Sequence, residues 1–263
     1  MTEAAITSSD TASVIVPLRH SHDRLRALVE PLDADQLGAL SYASEWSIAQ
    51  VLSHLGSGAE IFDLLFSTGL RGEDMPGRET FTAIWDAWSA RSPQAQATDA
   101  LVADRALVER LESLDDSQLE GFRLHLFGRD VDAAGFIRTR LGEHAIHTWD
   151  VAVALDPVAT VAPDAVDVLV DTLSHIASRS GKPIGEARRM RVVTSDPQRQ
   201  FVLDVGDSVA LLTGDGEDGL ASIRMPAEAF IRLVYGRLDP KHTPTLETND
   251  IDLDDLRATF PGV

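Results

Sequence analysis

The chain has 263 residues, 44% hydrophobic and 25% charged, with 42 Asp and Glu against 23 Lys and Arg for a formal charge of −19. That length suits two domains, and the composition excludes wholesale disorder. The charge excludes a general electrostatic grip on DNA or RNA, so an anionic ligand needs a local Arg or Lys cluster or a metal.

Cysteine is absent, which leaves no disulfide, no Cys-type zinc site and no thiol nucleophile; thiol chemistry would need a thiol from a cofactor. No apolar run approaches the ~18 residues of a membrane span. The N-terminal MTEAAITSSDTAS has no Lys or Arg and no apolar core, so it does not read as a secretory signal. The expected location is the cytoplasm.

Residues 1–12 read as a frayed tail. A helix is expected from Val14, with Leu18, His22, Leu25 and Val29 at helical spacing and Pro31 closing it. LDADQLGALSYASEW reads as a loop. Ser47-Ile48-Ala49-Gln50 fits the S-x-x-Q capping box and starts a second helix to about Phe66. Residues 67–78 read as a Gly-rich loop and FTAIWDAWSA as a short helical run. A third long helix is expected over Asp99 to Leu114, and a fourth from near Asp130 to near Leu155.

Pro157 and Pro163 mark a linker, beyond which the composition shifts. PDAVDVLVDTLSHIASRSG reads as one helix. Short β-rich runs follow at 191–194, 201–205, 209–213 and 221–225. AEAFIRLVYGR and DLDDLRATF are the last helices. The predicted fold is an N-terminal up-and-down four-helix bundle over 1–157 and a smaller C-terminal α/β domain over 158–263.

Of the eight histidines, His20, His125, His175 and His242 read as ordinary surface or capping residues. His54 differs: it lies mid-helix among Val51, Gly58, Ile61 and Leu65, beside a core. Glu143 and His147 stand at i and i+4 on one face of the fourth helix, where a carboxylate and an imidazole can bind one ion together. The same spacing also serves to stabilise an exposed helix, so alone it leaves both readings open. A bundle can bring His54 into the same layer, giving two nitrogens and one oxygen with a fourth position open, as in catalytic zinc sites. His144 is less well placed.

SEWSIAQVLSHL and RLGEHAIHTWDVAVAL resemble the second- and fourth-helix motifs of the DinB/YfiT-like metalloenzyme superfamily, in its mycothiol-dependent maleylpyruvate isomerase branch. LASIRMPAEAFIRLVYGR resembles that family's C-terminal strand–helix ending in Gly-Arg. The resemblance implies that His54, Glu143 and His147 ligate a divalent metal, zinc, with Trp46 packing the helix entry or serving as plain core. Asp150 then either orients a ligating histidine or is an ordinary helix-end acid. It also implies the cofactor mycothiol: a metal-favoured thiolate adds to a double bond conjugated to a carbonyl, the bond rotates, and elimination releases the other isomer. The same opening step fits a thiol S-transferase. A thiol-independent metal-dependent transferase or hydrolase and a non-catalytic regulatory protein are the rival readings.

The expected partners are a small-molecule substrate and a low-molecular-weight thiol, with no nucleic acid and no membrane, in a monomer or homodimer of actinobacterial type. A carboxylate-bearing substrate meets a repelling field, and Arg237, at the Gly-Arg position, is the candidate guanidinium to hold it, ahead of Arg232 and Arg224. A helix C-cap role for Arg237 is the alternative. Residues 67–78, Arg138 and Arg140 read as ordinary surface before pocket wall.

Overall fold

The computed structural model describes residues 8–262 apart from 44, 127, 186 and 218. The chain divides into two compact units, Met1–Ala159 and Thr160–Val263. The first is helical and the second is built on a mixed five-stranded sheet with helices.

Four long helices make the first unit: α1 (Ser8–Val29), α3 (Ile48–Arg71), α5 (Pro93–Glu112) and α7 (Ala133–Leu155). α3 packs chiefly on α5 and α1 on α7, while α1–α5 and α3–α7 contacts close the bundle. Each helix turns a stripe inward. In α1 the buried residues include Thr11, Val14, Ile15, Leu18, Ser21, His22, Leu25 and Val29; in α5 they include Ala97, Ala100, Asp104, Leu107, Val108 and Leu111. Both stripes carry polar residues in apolar positions, His22 and Ser21 in α1 and Asp104 in α5.

Several boundaries differ from expectation, each for a local reason. Residues 8–12, expected in the frayed tail, belong to α1, and residues 1–7 of that tail lie outside the described residues. Within the expected loop, Asp33 caps a short α2 (Ala34–Gly38) through a full capping box with Gln36. α3 runs past Phe66 to Arg71, so the Gly-rich loop shrinks to the residues before α4 (Arg78–Ser89). α5 starts at Pro93, not Asp99: Ser92 caps it and proline occupies its first turn, where its missing N–H costs nothing. The stretch before α7 holds a capped α6 (Asp116–Gly121) and a hairpin of β1 (Leu124–Leu126) and β2 (Arg129–Val131). Asp130 therefore sits in a strand opposite His125, and Asp132 is the residue that caps α7.

In the second unit, α8 (Pro163–Leu169) and α9 (Leu173–Ser180) replace the single expected helix, with a 3₁₀ turn at Val170–Thr172 between them. The sheet comprises β3 (Arg188–Ser195), β4 (Arg199–Val205), β5 (Val209–Thr213), β6 (Ala221–Pro226) and β7 (Glu247–Asn249), in the order β5-β4-β3-β6-β7. β3, β4 and β5 form an antiparallel meander, β6 runs parallel to β3, and β7, too short and polar to anticipate, pairs antiparallel at the edge. Register aligns Val192 with Phe201 and Ile223, and Leu203 with Met190 and Leu211, so one face is a continuous apolar layer. α10 (Ala227–Val234) packs on β3 and β6, with Phe230 5.5 Å from Phe201 between ring centroids, and α11 (Leu253–Thr259) follows. Gly236 after α10 is left-handed at φ 72° and lies so close to Gly262 that a Cβ would fall 2.2 Å from its Cα; only glycine meets both demands.

Candidate metal centre

The capping box that starts α3 closes as its residues predict. Ser47 N–H donates to Gln50 Oε1 at 2.8 Å, and Gln50 N–H to Ser47 Oγ at 3.2 Å. His54 follows about two turns later. Asp132 sets the start of α7 by accepting from Gly135 N–H at 2.6 Å, and Glu143 and His147 then stand one turn apart along that helix.

The fold brings these three together. One ligand atom from each of His54, Glu143 and His147 lies within 4.8 Å of the other two. Glu143 Oε2 is 3.6 Å from His54 Nε2 and 3.9 Å from His147 Nε2. Donors on one tetrahedral zinc at about 2.0–2.2 Å stand roughly 3.3–3.6 Å apart. The side chains thus need to draw in by at most about 1.5 Å, and two imidazole nitrogens with one carboxylate oxygen are donors zinc accepts. His54, Glu143 and His147 could therefore hold a metal ion.

Burial lowers the His54 pKa below its ordinary 6.5, against the pull of the Glu143 carboxylate. Burial alone would raise Glu143, but the hydrogen bond with His54 and the charges of His147, His54 and Arg140 outweigh it and hold the carboxyl at about 2. At neutral pH the cluster thus presents a neutral His54 and an ionised Glu143, the forms that bind metals.

Two further residues shape the cluster. His147 Nδ1–H donates to Asp150 Oδ2 at 2.9 Å, and Asp150 is fully buried. A histidine that donates from Nδ1 keeps the Nε2 lone pair for a metal. Trp46 is 37% exposed, not core; its ring stacks 6.4 Å from His147 and lies 5.4 Å from His54 between centroids.

His144 points away from the cluster. It is fully buried, with Nδ1 2.8 Å from Ser21 Oγ and Nε2 2.9 Å from Asp104 Oδ2. Asp104 Oδ2 also accepts from His22 Nδ1 at 2.7 Å, and its Oδ1 accepts from Arg140 Nη2 at 2.8 Å. Arg140, read above as surface, is 1% exposed and donates to Leu55 O as well. Gly58 makes room for it: a Cβ there would lie 2.8 Å from Arg140 Nη1. This buried network beside the cluster was missed from the sequence, although its signal was present: His22 and Asp104 interrupt apolar stripes. Burial raises Asp104, but the contacts with His144, His22 and Arg140 outweigh that and hold it well below the usual carboxylate range.

The arginines of the second unit are engaged within that unit. Arg237 is buried and donates from Nη1 to Tyr235 O at 2.7 Å, next to the end of α10. Arg232 binds Glu228 through two hydrogen bonds and donates to His242 O, while Arg224 is exposed, 3.7 Å from Glu247. Among the described residues no helix is long and apolar enough to cross a membrane.

A helical bundle that draws two histidines and a glutamate together from α3 and α7, followed by a unit of a mixed five-stranded sheet with helices, defines the class: a helical-bundle protein with a candidate metal centre and a C-terminal α/β domain. The chain belongs to the mycothiol maleylpyruvate isomerase N-terminal domain family, whose model matches residues 18–152, just over half of the chain. Among solved structures, crystal structures of the mycothiol-dependent maleylpyruvate isomerase and of a histidine-to-alanine variant of it are similar to this chain. Each has a TM-score of 0.67 and 16% sequence identity, over 92% of this chain and 95% of that chain. At that identity the likeness is one of fold. No match to the sequence is found among curated proteins.

Proposed function

We propose that this protein is a zinc- and mycothiol-dependent enzyme acting on a small unsaturated, carboxylate-bearing electrophile, as in the cis–trans isomerisation of a maleylpyruvate-like compound. The observation that carries this reading is the convergence of His54, Glu143 and His147 within 4.8 Å, in a chain whose family is named for that thiol and that reaction. The bound cofactors would supply the chemistry, the metal favouring thiolate over thiol and the sulfur adding reversibly to the conjugated double bond so that it can rotate.

The chain's own residues prepare that chemistry. Glu143 supplies negative charge and stays ionised far below neutral pH. Asp150 fixes the His147 ring, and Trp46 covers the two imidazoles and limits water on that side. Arg237 is proposed as the cation for a substrate carboxylate, because a planar guanidinium pairs with it bidentately. Turnover of maleylpyruvate by the zinc-loaded protein with and without mycothiol tests the reading. Turnover only with both supports it; turnover without thiol assigns a hydrolase or transferase role to the same cluster, and zinc binding without turnover on electrophiles of this class overturns it.

A further inference from the structure

A groove of about 350 Å³ adjoins the cluster within the first unit and shares His54 with it. Its lining is unusual for a chain in which 25% of residues are charged: apart from His54, none of the described residues that line it is ionisable. Two indoles border it, Trp46 from the entry to α3 and Trp85 from α4, and they are 37% and 46% exposed. Between them stand hydroxyl and amide side chains. Ser57 Oγ is used on His54 O, but Ser53 and Ser89 have no partner of this kind among the described residues. Gln50 accepts from Ser47 N–H through Oε1, which leaves its NH₂ to donate; Gln96 donates to Trp88 O, which leaves its Oε1 to accept.

Partly exposed indoles beside hydroxyl and amide side chains suit one ligand chemistry. A polyhydroxylated ring has C–H faces that lie on aromatic surface and O–H edges that need donors and acceptors in turn. Among the described residues that line the groove there is no Lys or Arg to pair with a carboxylate. Resting on the function proposed above, we propose that this groove is the subsite for the sugar–cyclitol part of the thiol cofactor. Mycothiol is a cysteine derivative carried on an amino sugar joined to inositol, so its neutral polyol portion matches the groove. Because His54 lines both groove and cluster, a ligand seated on Trp46 and Trp85 has its far end directed to the metal ligands. The carboxylate-bearing electrophile is then held elsewhere.

The test compares three probes by calorimetry and indole fluorescence: mycothiol, its thiol-free glucosaminyl-inositol portion, and N-acetylcysteine. The proteins are wild type, Trp85→Ala, and Ser89→Phe, which fills the groove instead of emptying it. Trp85 and Ser89 are both exposed, and circular dichroism checks that each variant folds. The expected result is that glucosaminyl-inositol binds wild type with or without zinc and shifts indole emission. Both variants should weaken it by about tenfold or more, the scale of one lost anchoring contact, with zinc content and N-acetylcysteine binding unchanged. Equal binding to wild type and both variants overturns the subsite while leaving thiol dependence standing, as does binding of mycothiol without binding of its polyol portion. If zinc loads but neither mycothiol nor glucosaminyl-inositol binds, the thiol reading falls and the subsite with it.

Discussion

Asp150 lies one turn beyond His147 on α7, and its Oδ2 accepts from His147 Nδ1–H at 2.9 Å with the carboxylate wholly buried. This contact sets the imidazole tautomer that leaves Nε2 toward Glu143. Asp150→Asn keeps the shape but removes the charge that supports the ring. Partners of this kind change metal affinity by about 10–100-fold, so zinc affinity measured by chelator competition should fall by that order. Unchanged affinity would show that the ring is held by packing alone.

His54→Ala and Glu143→Gln each remove one donor from a set of three. Neither variant should retain stoichiometric zinc after dialysis, as read by elemental mass spectrometry. Both side chains are partly exposed, so melting without metal should shift little. The rise in Tm that zinc gives wild type, a consequence of binding only the folded state, should disappear in both. A zinc-dependent Tm rise that survives in both variants would place the ion elsewhere.

Acid should strip the metal through the imidazoles. Burial lowers His54 below 6.5, and Glu143 stays ionised to about 2. Occupancy should therefore hold from pH 7.5 down to the imidazole range and fall below about 6.5, well before the carboxylate protonates. A zinc titration that stays flat to pH 4 would contradict two histidine ligands.

The Asp104 carboxylate lies within hydrogen-bond distance of His22, His144 and Arg140. Asp104→Ala would leave a buried guanidinium without its anion, a loss of about 3–5 kcal/mol in urea unfolding. The acid response has a definite sign. The folded pKa of Asp104 lies well below 3.8 and that of His144 below 6.5, so the unfolded chain binds more protons and stability falls as pH drops. The loss should begin below about 6.5 through His144 and deepen below about 4 through Asp104. Stability that rises on acidification through that range would contradict this assignment.

Arg237→Lys separates the two roles open to that residue. If the guanidinium pairs with a substrate carboxylate, kcat/KM should drop by at least about tenfold, with zinc content and Tm barely moved. If its role is the Tyr235 carbonyl at the end of α10, Tm should fall while turnover per folded molecule stays at the wild-type level.

Local patterns were legible from the sequence because short-range physics produces them. The Ser47–Gln50 capping box, the one-turn spacing of Glu143 and His147, and the apolar runs of β3 to β6 each depend on residues a few positions apart. The places where expectation failed are local too, but compositionally faint: the polar start of α5 with its Ser92–Pro93 signal, the hairpin that displaces the start of α7, and the three-residue β7. Tertiary structure alone decided the rest. Nothing in the spacing brings His54 of α3 against Glu143 of α7, or aims His144 at Asp104 while its neighbour faces the cluster. Nor does it bury Arg140, whose charge read as a surface feature until Asp104 met it in the core. Those contacts join residues 36 to 89 positions apart, and which helical faces meet is set by the packing of whole side-chain stripes, a property of the assembled bundle that no single segment contains.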